Sequence, residues 1–207
     1  MKLYYKPGAC SLASHIALNE AGVAVALEKT DTATKTTENG EDYSAINPNG
    51  YVPALRLDNG EILTEGPAIL QFIADTNQSA GLAPENGTVE RARVNALLNF
   101  AGSELHKAFA PLFADPAPEG AARDAIIEKI GTRLDHIESR LADGRAYLTG
   151  DAFTIADAYV FVVANWANFV NVDLSKWPNV VSFVKRVAAR PAVTNALAAE
   201  GLLAQAA

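Results

Sequence analysis

A single cysteine, Cys10, stands in K-P-G-A-C-S, directly before a stretch with helical spacing. A thiol at a helix start lies near unpaired N–H groups and the positive end of the helix dipole, which favour the nucleophilic thiolate. Taken alone the position also fits a buried, inert cysteine. Glu65, in L-T-E-G-P-A-I, precedes Pro67, a residue suited to a first helical turn. A carboxylate there can pair with a ligand ammonium while the helix N–H groups take a ligand carboxylate, reading both charges of an α-amino acid; as a bland alternative it caps the helix. In N-P-N-G-Y-V-P, Pro53 has no N–H to give a sheet and belongs at a strand's start or edge. S-E-L-H-K places His106 and Lys107 on adjoining faces of one helix, for which a solvated face is the simpler reading.

Other chemistries find little support. The 207 residues hold 24 Asp and Glu against 17 Lys and Arg, a net charge of −7. A chain that neutralises phosphates clusters basic residues on one face, so nucleic acid and anionic membrane surfaces are disfavoured as partners. One cysteine precludes an internal disulfide and any Cys-based zinc or iron–sulfur site. His15, His106 and His136 lie far apart without metal-ligand spacing, so no metal is expected. Neither G-x-S-x-G nor G-x-G-x-x-G occurs. The opening MKLYYKPGAC lacks the apolar run of a secretory signal, and the apolar stretch from Ile155 to Val172 carries Asp157, Asn165, Asn168 and Asn171, which marks a buried helix. A soluble, reducing, cytoplasmic setting is expected.

The elements that must position these residues follow from periodicity. Lys2 to Tyr5 reads as a strand, Ser11 to Ala21 as a helix ended by Gly22, and Val23 to Lys29 as a second strand, a βαβ start. Residues 30 to 46 are ambiguous. Ala54 to Leu57 and Glu61 to Leu63 flank Asp58-Asn59-Gly60 and predict a hairpin, and Pro67 opens a helix to about Thr76. After a polar, Gly/Pro-punctuated stretch, all is helical: Thr88 to Phe113 with a kink before Pro111, Pro118 to Leu141, a helix after the capping box of Thr154 and Asp157, and two short helices near 177–190 and 192–199.

These motifs, in this order and ahead of an all-helical half, resemble the glutathione S-transferase family over the whole chain. A cysteine at the first strand–helix junction and S-E-L-H-K-A-F in the long helix resemble its bacterial beta class. The resemblance implies an α/β thioredoxin-like N-terminal domain (residues 1–77), a linker (78–87) and an all-α domain (88–207) forming the hydrophobic-substrate site. It implies glutathione as co-substrate, a hydrophobic electrophile, and a homodimer.

By the same resemblance, Cys10 faces the glutathione sulfur and can form a mixed disulfide with it. Tyr51, Val52 and a cis Pro53 present the turn that pairs with the cysteinyl part; Glu65 and the Gly66 N–H hold the γ-glutamyl end; Lys35 reaches the glycyl end. His106 and Lys107 flank the sulfur and add positive character. Asn99, Ser103 and Glu104 match positions on the helix that approaches glutathione, some across a dimer interface, and Phe109, Phe113 and Trp166 wall the apolar pocket. One position departs from the family: Gly66 stands where a Ser or Thr is usual, which removes a hydrogen bond to the γ-glutamyl carboxylate. A specialised glutathione-dependent lyase or dehalogenase and a non-catalytic binding module on the same fold are the alternative readings.

Overall fold

Leu3 and Tyr4 in β1 (Lys2–Tyr5) have no solvent exposure, because β1 is the central strand of a sheet. In the computed structural model, which describes residues 1–203, it is joined by β2 (Ala26–Asp31), β3 (Thr36–Thr37), β4 (Ala54–Arg56) and β5 (Ile62–Thr64) in the order β3-β2-β1-β4-β5. β1 runs parallel to β2, with Leu3 opposite Leu27, and antiparallel to β4, with Leu3 opposite Leu55. The parallel pair requires a crossover, and α1 (Ser11–Glu20) supplies it. Its end is a Schellman motif: Gly22, at φ +67°, gives its N–H to Asn19, and the Val23 N–H goes to Leu18. That use of Val23 delays β2, which pairs from Ala26 rather than from Val23 as the sequence predicts.

The ambiguous stretch after β2 turns where Asp31 Oδ1 accepts the Ala33 and Thr34 N–H groups, at 2.8 and 3.3 Å. It then forms β3 and a single 3-10 turn at Tyr43–Ala45. The predicted β4–β5 hairpin is present, with Gly60 at φ +87° and the Leu57 N–H bonded to the Glu61 carbonyl. α2 (Gly66–Thr76) buries Ile69, Leu70 and Ile73.

The described chain divides into two compact units, residues 1–83 with 190–203, and residues 84–189. α8 (Pro191–Ala199), grouped with the helical part by the sequence reading, belongs to the first unit because it packs on α1. Arg190 there holds Glu20 through two bonds of 2.6 and 2.8 Å, and Asn19 donates to the Ala192 carbonyl.

In the second unit, Thr88 Oγ1 accepts the Arg91 N–H and starts α3 (Val89–Phe100). The predicted long helix to Phe113 changes to a 3-10 turn, Ala110–Phe113, at the Pro111 where a kink is expected, and is further interrupted by a π-helical turn, Ala101–Leu105, ahead of α4 (His106–Phe109). α5 (Gly120–Leu141) buries Ile130, Leu134, Ile137 and Leu141 at helical spacing. α6 (Ile155–Phe169), apolar nearly all round, is buried from Ile155 to Ala167 and forms the unit's centre, with α3 and α7 (Pro178–Ala188) packed on it. Its start is fixed by Asp157, whose carboxylate accepts the Thr154 N–H, the Thr154 hydroxyl and the Leu148 N–H, each at 2.8 Å. No helix among the described residues is long and apolar enough to cross a membrane.

Candidate active site

Cys10 is the residue on which α1 begins, as the sequence predicts, but its sulfur caps none of the helix N–H groups. The Sγ lies 3.2 Å from the Val52 carbonyl oxygen instead, 42 residues along the chain. In that contact the thiol is the donor and the carbonyl the acceptor. The Val52–Pro53 peptide is cis, in accord with the resemblance. Its approach is fixed from below: the Tyr51 carbonyl accepts the Tyr43 hydroxyl at 2.8 Å and the Asn47 amide at 2.7 Å. Burial pushes the Tyr43 phenol far above its ordinary pKa, so it stays a donor. The Tyr51 side chain itself points outward, 70% exposed.

Pro53 faces the start of α2: a Cβ built on Gly66 would lie 3.9 Å from the proline ring. Glu65, exposed and just ahead of α2, has φ +69° and ψ +112°, a backbone conformation that side-chain-bearing residues rarely adopt. Strain of this kind persists where the surroundings over-determine a residue, and such places are often ligand clamps. Lys35 is exposed, with φ +56°, and its stem runs past Gly50, with Cε 3.4 Å from the place of a Cβ there. The first unit therefore brings Cys10 to the Val52–Pro53 turn and that turn to the side of Gly66, with Glu65 next to Gly66 and Lys35 beside the 47–51 loop.

In the second unit His106 and Trp166 meet edge to face, with ring centroids 4.7 Å apart, and His106 Nδ1 lies 3.0 Å from Tyr159 Oη. Burial, and then the charge of Lys107, lower the His106 pKa from 6.5 to about 4. Near pH 7 this imidazole is neutral, which corrects the expectation that it adds positive character; Lys107, exposed, is the cation of the pair. Phe113, half exposed, meets Trp166 edge to face at 5.3 Å, whereas Phe109 is fully buried behind it at 6.3 Å and supports the wall rather than facing a ligand. Asn99 and Ser103 are exposed and linked, the serine hydroxyl donating to the Asn99 carbonyl at 2.8 Å. Glu104 is turned to α5, 2.8 Å from Arg133. An open cleft of about 810 Å³ in this unit, lined by Arg93, His136, Arg140 and Arg145, shares no residue with these groups. Its guanidinium groups have internal partners: Arg145 binds Asp143, and Arg140 binds the Leu148 carbonyl.

Residues 8–76 match the model of the glutathione S-transferase N-terminal domain, and residues 100–191 that of the C-terminal domain. Glutathione S-transferase GstA of Escherichia coli O157:H7 is 44% identical, over 98% of this chain and all of the relative. The chain belongs to the glutathione S-transferase family. Glutathione S-transferase GST-4.5 of Xanthomonas campestris pv. campestris is 40% identical over 98% of the chain and all of its own length. Among solved structures, a ternary complex of BphK, a bacterial glutathione transferase, is 50% identical with a TM-score of 0.93, and a sphingomonad glutathione S-transferase complexed with glutathione is 48% identical with a TM-score of 0.91. Each covers 98% of this chain and all of the other.

Within this family member several positioning residues had no motif to announce them. Ser11 brackets Lys6, bonded to its N–H and its carbonyl at 3.2 and 3.3 Å. Asn47 carries a weak signal, an asparagine in N-P-N-G, while Tyr43 and Tyr159 read as ordinary core aromatics.

Proposed function

We propose that this transferase binds glutathione in its first unit and uses the glutathione sulfur on hydrophobic electrophiles. The observation that carries the reading is the meeting of Cys10 with the Val52–Pro53 turn at 3.2 Å, in a chain whose full length is similar to that of glutathione transferases. Glu65 takes the γ-glutamyl ammonium and the Gly66 N–H its carboxylate. The Val52 backbone pairs with the cysteinyl residue, in the turn shaped by Tyr51 and Pro53, and Lys35 takes the glycyl carboxylate. In the second unit Lys107 offers a cation and neutral His106 a hydrogen-bonding group. Asn99 and Ser103 offer polar groups on the helix that Glu104 holds through Arg133, and Trp166 and Phe113, backed by Phe109, present the apolar wall.

Cys10 supports a second reaction at the same place. Its thiolate attacks the glutathionyl sulfur of a mixed disulfide, the Cys10–glutathione bond forms, and the other thiolate leaves and takes a proton. A second glutathione thiolate then releases oxidised glutathione and restores Cys10. With one cysteine in the chain, no internal thiol can resolve the intermediate.

We further propose a homodimer, for which the exposed Tyr51 and Val89 are apolar side chains a second copy would cover, and a cytoplasmic setting, for which a single cysteine outside any disulfide is the support. Calorimetric titration with glutathione tests the reading. Saturable binding is expected, and no heat at millimolar glutathione with the fold intact would refute it. Sedimentation at micromolar concentration tests the dimer, with a species near twice 21.9 kDa expected.

A further inference from the structure

Glu200 follows α8, and its side chain is completely buried. Burying a carboxylate is strongly unfavourable unless its oxygens are paired. Here both are: Oε1 lies 2.9 Å from Nδ1 of His15 in α1, and Oε2 accepts the Gly8 N–H at 2.9 Å. A carboxylate only accepts, so Nδ1 is the protonated nitrogen of His15. The first of these bonds ties the end of α8 to α1. The second reaches across 192 residues to the loop that ends in Cys10.

The loop is also tied at its two ends, by Lys6 to the Thr32 hydroxyl and by Cys10 to the Val52 carbonyl. Ala9 closes a turn onto Lys6 at 3.0 Å, and Ser11 brackets Lys6. Gly8 sits at φ +72°, and the Leu202 methyls would lie 3.7 Å from a Cβ there, so the segment after α8 backs the loop with both its charge and its apolar side chain. The other titratable group facing the pair is Tyr5, whose ring is 6.5 Å from His15; burial, and then the charge of Glu200, raise its pKa and keep it neutral.

We propose that Glu200 is a positioning residue for Cys10: held by His15, its carboxylate fixes Gly8 and thereby the direction in which the thiol leaves the loop. The inference rests on the reading of Cys10 as reactive. A merely structural role is separated from it by the Arg190–Glu20 pair, which ties the same two helices at 2.6 and 2.8 Å without touching the loop.

The test is the rate of Cys10 alkylation by iodoacetamide from about pH 6 to 10, without glutathione, in wild type, Glu200→Ala, Glu200→Gln and Arg190→Gln. Thermal midpoints are measured alongside. Glu200→Ala is expected to change the neutral-pH rate by about threefold or more and to displace the profile. Glu200→Gln keeps an oxygen for Gly8 and is expected to recover most of the change, while Arg190→Gln lowers the midpoint and keeps the wild-type profile. Should Glu200→Ala not fold, Glu200→Asp, one methylene short of Gly8, replaces it with the same expectation. A wild-type profile in the Ala or Asp variant, or the same displacement in Arg190→Gln, overturns the inference. Alkylation needs no glutathione, so failure of wild type to bind glutathione would refute the proposed function while the profiles still judge Glu200.

Discussion

His106 Nδ1 and Tyr159 Oη lie 3.0 Å apart, in a setting that lowers the imidazole pKa from 6.5 to about 4. Burial is the larger cause and the Lys107 charge the smaller. Between those two values the unfolded chain holds a proton that the folded chain does not, so this group makes stability rise with pH from about 4 to 6.5 and leaves it level above. Asp157 acts the other way. Burial lifts its pKa from 3.8 to about 6 despite three donors, so over that interval its contribution falls as pH rises. The two overlap, and only a variant separates them. Relative to wild type, His106→Gln is expected to gain stability progressively as pH falls from 6.5 toward 4, with a constant difference at higher pH. Urea unfolding at a series of pH values measures it, and a difference that stays flat throughout would count against the neutral imidazole.

Cys10→Ala should separate the two proposed reactions. Mixed-disulfide reduction is expected to be lost to background, because no other thiol in the chain can form the intermediate. Conjugation should survive within about tenfold, since the Ala variant keeps the helix N-terminus and glutathione brings its own sulfur. Parallel assays of both reactions decide this, and equal loss of both would place Cys10 in conjugation as well.

Gly66→Ser should tighten glutathione binding. Gly66 is absent from the positive-φ residues, and a Cβ there meets only the Pro53 ring at an ordinary 3.9 Å, so serine fits without strain. A hydroxyl to the γ-glutamyl carboxylate contributes about 0.5–1.5 kcal/mol net, more with the charged acceptor, or up to roughly tenfold in Kd. Titration calorimetry reads the change, and an unaltered or weaker Kd would show that the γ-glutamyl end lies elsewhere.

Asp157→Ala should be among the most destabilising single changes in the second unit. It strands the buried Leu148 and Thr154 N–H groups and removes the start of the central helix. A loss of roughly 3 kcal/mol or more is expected, against about 1 kcal/mol for Thr154→Ala, which removes one member of the box. Chemical denaturation of both variants gives the comparison; equal losses would mean that the Leu148 bond carries little.

Much of this arrangement was legible in the residues because it depends on local rules. Gly22 had to end α1, Asn59-Gly60 had to turn the hairpin, and Thr154 with Asp157 had to start α6, since each acts over three or four residues. In the long helix the break near Pro111 is legible, but the π-helical turn at Ala101–Leu105 is not: it contains no Pro, and one extra residue in a turn leaves no compositional mark. The second strand was placed too early because strand propensity does not record that the Val23 N–H is already taken.

The sequence by itself determined the element order, the family resemblance and the candidate residues, for these reside in residue type and short spacing. Only the tertiary structure decided what those residues face. It turned the Cys10 thiol to the Val52 carbonyl, made His106 neutral by burying it, pushed Glu65 into strained backbone, and carried α8 back to α1 so that Glu200 meets Gly8. Desolvation and hydrogen bonds between residues 42 to 192 positions apart arise when the chain closes on itself, and no local pattern encodes them.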